Sequence, residues 1–98
     1  MYEIDLALEA RLELRGLRPF DARPLYRAIE DLRWHAETVT RNRKPLREPL
    51  EELPEASWEV RVGMYRVLYK IVGLTVGVLR VILKDHETTS EALQRTKR

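Results

Sequence analysis

The stretch WEVRVGMYRVLYKI, residues 58–71, alternates apolar and other side chains on both sides of a glycine. Such alternation across a turn residue is the signature of a β-hairpin. Gly63 at the first position of a two-residue turn, Gly63–Met64, suits type II′ geometry. That turn fixes the register: Val62 opposes Tyr65, Arg61 opposes Arg66, Val60 opposes Val67, and Trp58 opposes Tyr69. One face then carries Trp58, Val60, Val62, Tyr65, Val67, Tyr69 and Ile71, and packs against the rest of the chain. The other carries Glu59, Arg61, Arg66, Leu68 and Lys70. Like charges directly opposed across a ladder destabilise it. Arginine placed only for solubility need not be opposed in this way, so the pair points to an anion held between the strands.

Thr75–Lys84 reads as the third strand of the meander, with Gly73 in the connecting turn. A three-residue loop sends Leu79, Val81 and Leu83 to the core. It also sets Arg80 opposite Arg66, with Lys84 on the same basic face. A two-residue loop reverses those faces. The first is preferred because it buries the three apolar residues. Arg66 then points away from the core, and its removal is expected to leave the fold intact.

Upstream, Tyr2–Leu8 alternates as a short strand, and residues from about Ala7 to Arg15 favour a helix that Gly16 can stop. Asp21 suits an N-cap, with Pro24 in the first turn of a second helix. Leu25, Ile29, Leu32, Ala36 and Val39 form its apolar stripe, while Arg23, Arg27, Glu30 and Asp31 form a solvated face. His35 sits at that helix's surface or boundary. Thr40–Ala56 holds Pro45, Pro49 and Pro54 without a clean period and reads as a long ordered loop. Thr88–Glu91, TTSE, reads as a capping box opening a short C-terminal helix. The fold class is α+β: a short N-terminal strand, two helices packed on an antiparallel meander over 58–84, and a short C-terminal helix. Residues 1–98 are expected to form one domain.

Cysteine is absent, which excludes a disulfide framework and thiolate metal sites. Two distant histidines and scattered acids make no metal site, and no cofactor is implied. No apolar run approaches the roughly 20 residues of a membrane span, and the acidic N-terminus lacks the basic start of a secretory signal. A cytoplasmic location is expected. The net charge is +2, but the bases are unevenly placed. Residues 61–84 hold Arg61, Arg66, Lys70, Arg80 and Lys84 with no acid. Residues 41–47, RNRKPLR, add Arg41, Arg43, Lys44 and Arg47. Both segments suggest an anionic partner. The sheet face lacks the paired aromatics of a base-stacking platform, so a compact phosphate site fits better than a broad single-strand binder.

The element order, together with WEVRVGMYRVLYKI, the preceding RKPL and the later VGVLRVILKDH, resembles the RelE/ParE toxin superfamily of bacterial type II toxin–antitoxin systems. RelE-like members are ribosome-dependent mRNA endonucleases; ParE-like members poison DNA gyrase. The resemblance implies a RelE-like site in which Arg61, Arg66 and Lys84 supply charge. His86 stands near the place of the family's missing tyrosine. Arg41, Arg43, Lys44, Arg47 and Arg80 are expected to contact RNA. Glu59 falls where RelE has lysine, a departure from the pattern. Implied partners are a cognate antitoxin, in a toxin–antitoxin hetero-oligomer, and the ribosome with its mRNA; no membrane is implied. Two alternatives remain open: a ParE-like gyrase inhibitor, and a non-enzymatic module docking an acidic partner.

Overall fold

The register of the central hairpin is the one its alternation dictates. In a computed structural model that describes residues 1–96, strands β3 (Trp58–Val62) and β4 (Tyr65–Val72) pair antiparallel, with Arg61 opposite Arg66 and Trp58 opposite Tyr69. Gly63 has φ +59°, while Met64 is not in the positive-φ region. That is the pattern of a type II′ turn. The Trp58 and Tyr69 rings stack at a centroid distance of 6.0 Å.

Around this hairpin lie β1 (Glu3–Leu6), α1 (Leu8–Arg15), α2 (Pro19–His35), β2 (Arg43–Pro45), β5 (Thr75–Leu83) and α3 (Thr89–Arg95). The five strands form one sheet in the order β1-β5-β4-β3-β2. β1 lies parallel to β5, so the sheet is mixed rather than purely antiparallel. The short β2, within the segment read from sequence as loop, adds an edge by pairing with β3.

The β4–β5 connection differs from the expected three-residue loop. Val72 pairs with Thr75, leaving the two-residue turn Gly73–Leu74 with Gly73 at φ +59°. The register then slips: Tyr69 pairs with Val78 and Leu68 with Arg80, so Leu79 is the extra residue of a β-bulge. The bulge lets Val76, Val78 and Val81 all face the helices. Of Leu79, Val81 and Leu83, only Val81 reaches that core; Leu79 packs on the opposite side and Leu83 is largely exposed. Arg80 therefore opposes Leu68, and Arg66 opposes Ile82.

The helices cover the first face through Ala10 and Leu14 of α1 and Leu25, Ile29 and Leu32 of α2, with Ala36 at its C-cap. α2 starts at Pro19, ahead of the expected Asp21 cap. Proline suits that first position because its missing N–H has no helical partner there. Asp21 lies in the first turn, where its charge meets the positive end of the helix dipole. Val39 falls beyond the helix and is exposed, so the apolar stripe ends at Ala36.

The second face is not simply basic. Leu68 and Ile82 are buried there beneath Ala92 and Leu93 of α3 and Leu50 and Ala56 of the 46–57 loop. α3 is fixed by the expected capping box: Thr88 Oγ1 accepts from the Glu91 N–H, and Glu91 Oε1 accepts from the Thr88 N–H. This second core buries Arg66, which is 7% exposed. The expectation that Arg66 points freely away from a core is thereby corrected. No helix among the described residues is long and apolar enough to cross a membrane.

Candidate functional site

The alternation that builds the sheet also sorts its arginines. In β2, Arg43 opposes Val60 and so turns toward α2, whereas Lys44 opposes Glu59 on the second face. Arg43 Nη2 donates to Asp31 Oδ2 at 2.6 Å, and Nη1 donates to the Thr38 carbonyl. Its charge is committed to joining β2 to α2. Arg80 is similarly engaged. Its Nη2 donates to Glu13 Oε2 at 2.7 Å and to Thr96 Oγ1, and its Nε reaches both Glu13 oxygens. Glu13 Oε1 also accepts from the Val81 N–H, on the edge of β5 beyond the last pair with β1.

The remaining bases converge. Arg41, Asn42, Lys44, Glu59, Arg61, Arg66 and Lys84 line one small pocket near the turn end of the hairpin. The backbone builds it: Arg61 N–H donates to the Asn42 carbonyl at 2.7 Å, and Lys84 N–H donates to the Met64 carbonyl at 2.8 Å. Those bonds draw the residues before β2 and after β5 onto the hairpin. Five cations thus meet one carboxylate.

Arg66 forms the floor. Its Nη1 donates to the carbonyls of Gly63 and Tyr65 at 3.1 and 2.9 Å. Its Nε lies 3.7 Å from Glu59 Oε1. The same Glu59 oxygen accepts from Thr89 Oγ1 of α3 at 3.1 Å. Burial, and next the charge of Arg61, push the Arg66 pKa down, with Glu59 opposing. Arginine stays protonated regardless, so the consequence is a poorly solvated, strongly anion-seeking guanidinium. Arg61 stands opposite it and exposed.

Of the residues singled out from sequence, Arg61, Arg66, Lys84, Arg41 and Lys44 come together. Arg43, Arg80 and Arg47 do not line the pocket; the first two are ion-paired elsewhere, and Arg47 is exposed on the loop. His86 does not line it either. Its side chain is 96% exposed, 3.4 Å from Asp85, on a backbone with φ +55°. His35 is half exposed on α2 beside Asp31. Asn42, which acts through its backbone, carries no signal in the sequence, and the alternation places Glu59 on the basic face without showing that it enters the pocket. Glu59's place was legible in the alternation, which sets it on the face of Arg61. Among the described residues no cluster of His, Asp and Glu could hold a metal ion.

A pocket of this kind can hold a phosphate. Guanidinium forks match its oxygens bidentately, and fixed cations stabilise charge that builds on phosphorus during transfer.

Comparisons with known proteins agree with this architecture. Residues 4–86 match the family described as ParE toxin of type II toxin–antitoxin system, parDE. A chain of the RelBE2 toxin–antitoxin complex from Mycobacterium tuberculosis is 31% identical, with TM-score 0.67 over 85% of this chain and 98% of that one. The isolated RelE toxin of E. coli gives TM-score 0.67 at 20% identity, covering 99% of this chain and all of that one, 100%. The archaeal RelE–RelB complex from Pyrococcus horikoshii gives 0.69 at 14% identity, over 88% and 98% of the two chains. A search of curated protein sequences returns no significant match. The chain belongs to the RelE/ParE superfamily of type II toxin–antitoxin toxins.

Proposed function

We propose that this toxin is a RelE-like endoribonuclease that cleaves ribosome-bound mRNA and arrests translation. The observation that carries the reading is the convergence of Arg41, Lys44, Arg61, Arg66 and Lys84 on one pocket. Cleavage is attack of a ribose 2′-hydroxyl on the adjacent phosphorus, with departure of the 5′-oxygen. Arg61 and Arg66 hold the non-bridging oxygens and offset the charge that develops on them. Lys84 sits beside the same phosphate. Arg41 and Lys44 hold the flanking backbone, where electrostatic contact needs no base specificity. His86, two residues beyond Lys84 in the chain and exposed outside the pocket, is the candidate for proton transfer, because an imidazole can both accept and donate a proton. Primer extension on translated mRNA is the direct test. Discrete cleavage sites that appear on induction support the reading; intact mRNA during growth arrest removes it.

A second reading is inhibition of DNA gyrase, favoured by the match to the ParE family over residues 4–86 and by the carboxylate of Glu59 in the pocket. It predicts DNA damage with intact mRNA. In either case the partner is a cognate antitoxin, as the toxin–antitoxin complexes among similar structures suggest, and the site of action is the cytoplasm.

A further inference from the structure

Glu59 is the one acid in a pocket of five cations, and it is held there. Thr89 Oγ1 on α3 fixes one carboxylate oxygen, and the same oxygen lies 3.7 Å from Arg66 Nε. Its side chain is 12% exposed, so it is part of the pocket wall rather than a mobile surface group. Lys44 is its partner across the β2–β3 ladder. A carboxylate there neutralises part of the positive charge that would otherwise attract any small anion. Yet a site meant only to be neutral would not gather four further cations.

We propose that Glu59 stands in for a phosphate beside Arg66, keeping free anions out of the pocket and reserving its cations for a polynucleotide. A single free phosphate must compete with a tethered carboxylate for Arg66. A polynucleotide contacts Arg41, Lys44, Arg61 and Lys84 at the same time, and each added phosphate contact contributes independently of Arg66. Glu59 thus sets selectivity between small anions and nucleic acid. The inference rests on the phosphate-pocket part of the proposed function and not on cleavage.

The test is binding by wild type and Glu59→Gln of two probes: inorganic phosphate, and a short RNA with 2′-O-methyl riboses that cannot be cleaved. Gln keeps the acceptor for Thr89 and removes only the charge. Wild type is expected to show no phosphate binding at low millimolar concentration, whereas Glu59→Gln binds it about tenfold or more tightly. RNA binds both, with a smaller gain for the variant. Thermal unfolding establishes that the variant is folded; Glu59→Ala serves as the second variant if Gln is not tolerated. Equal phosphate affinity in wild type and folded variant overturns the inference, and so does loss of RNA binding on removing the charge. Wild type that shows the expected anion selectivity but never cleaves mRNA overturns the nuclease reading alone.

Discussion

Glu13 of α1 and Arg80 of β5 are clasped by a forked ion pair, Nη2 to Oε2 at 2.7 Å, and the same carboxylate caps the Val81 N–H on the strand edge. Arg80 passes the linkage on to Thr96, at the end of α3. One side-chain pair therefore ties the helix on one face of the sheet to the helix on the other. Both side chains are about four-fifths buried, with 19% of Arg80 and 24% of Glu13 exposed. Glu13→Ala is expected to cost about 2–3 kcal/mol, read as a fall in Tm of roughly 10 °C or more. Glu13→Gln should cost less, because its amide oxygen can still accept from Val81. An unchanged Tm for the alanine variant would show that the clasp is idle.

Arg61 and Arg66 face each other but should respond differently to removal. Arg61 is exposed, so Arg61→Ala should shift stability by no more than about 0.5 kcal/mol. Under the nuclease reading it should still slow mRNA cleavage by about 100- to 1000-fold. Cleavage at the wild-type rate by the folded Arg61→Ala protein would exclude it from the site.

Arg66→Ala should lose activity and stability together. The substitution leaves the Gly63 and Tyr65 carbonyls without their donor and Glu59 without its nearest cation. A cost of about 2–4 kcal/mol is expected, measured by urea unfolding. A variant as stable as wild type would contradict the buried position of this guanidinium. For that reason Arg61→Ala, not Arg66→Ala, is the informative probe of chemistry in cells.

Leu93 is fully inside the second core, at 2% exposure. Leu93→Ala should cost about 2–5 kcal/mol and speed amide exchange throughout α3. If exchange in Thr89–Arg95 does not change, α3 is held by its polar contacts and not by this packing.

The anchoring of α3 should also depend on pH. Arg95 donates to Glu87 and to the Leu83 carbonyl, and the hydrogen bond from Arg95 holds the Glu87 carboxyl below its ordinary range. A carboxyl whose pKa is depressed on folding contributes stability above its unfolded value and loses it as pH falls through the folded value. Anchoring should therefore be constant from neutrality down to about pH 4.5 and weaken below it. Amide exchange in α3, corrected for intrinsic rate, reads this out. Glu87→Gln should abolish the dependence; a variant that retains it would assign the effect to another group.

The hairpin register, the Gly63–Met64 turn and the Thr88 capping box were legible in the sequence because each is local. Each is set by alternation, or by a residue within three positions of its partner. The pocket was legible in part for the same reason: Arg61 and Arg66 are neighbours across one turn. What escaped depends on distant partners. Leu46, Leu50, Leu53 and Ala56 have no period of their own, and only the arrival of Leu68, Ile82 and α3 makes them a core. The bulge at Leu79 lets Val78 and Val81 share a face, which no uninterrupted alternation can express. Arg43 and Arg80 look like free bases in a linear reading, yet Asp31 and Glu13 meet them only in the folded chain.

The parallel pairing of β1 with β5 joins Glu3 to Thr75 and Leu6 to Val78, nearly opposite ends of the described chain. The hairpin β3–β4 and helix α2 can form from neighbours alone, but β1 must wait for a strand made much later. Pairings of such sequence separation slow folding, to the order of milliseconds to seconds in domains where they dominate. Until β5 is in place, the amides of Glu3–Leu6 are an unpaired edge open to mispairing. During synthesis β1 leaves the ribosome well before β5, and so waits longer than the hairpin strands for its native neighbour.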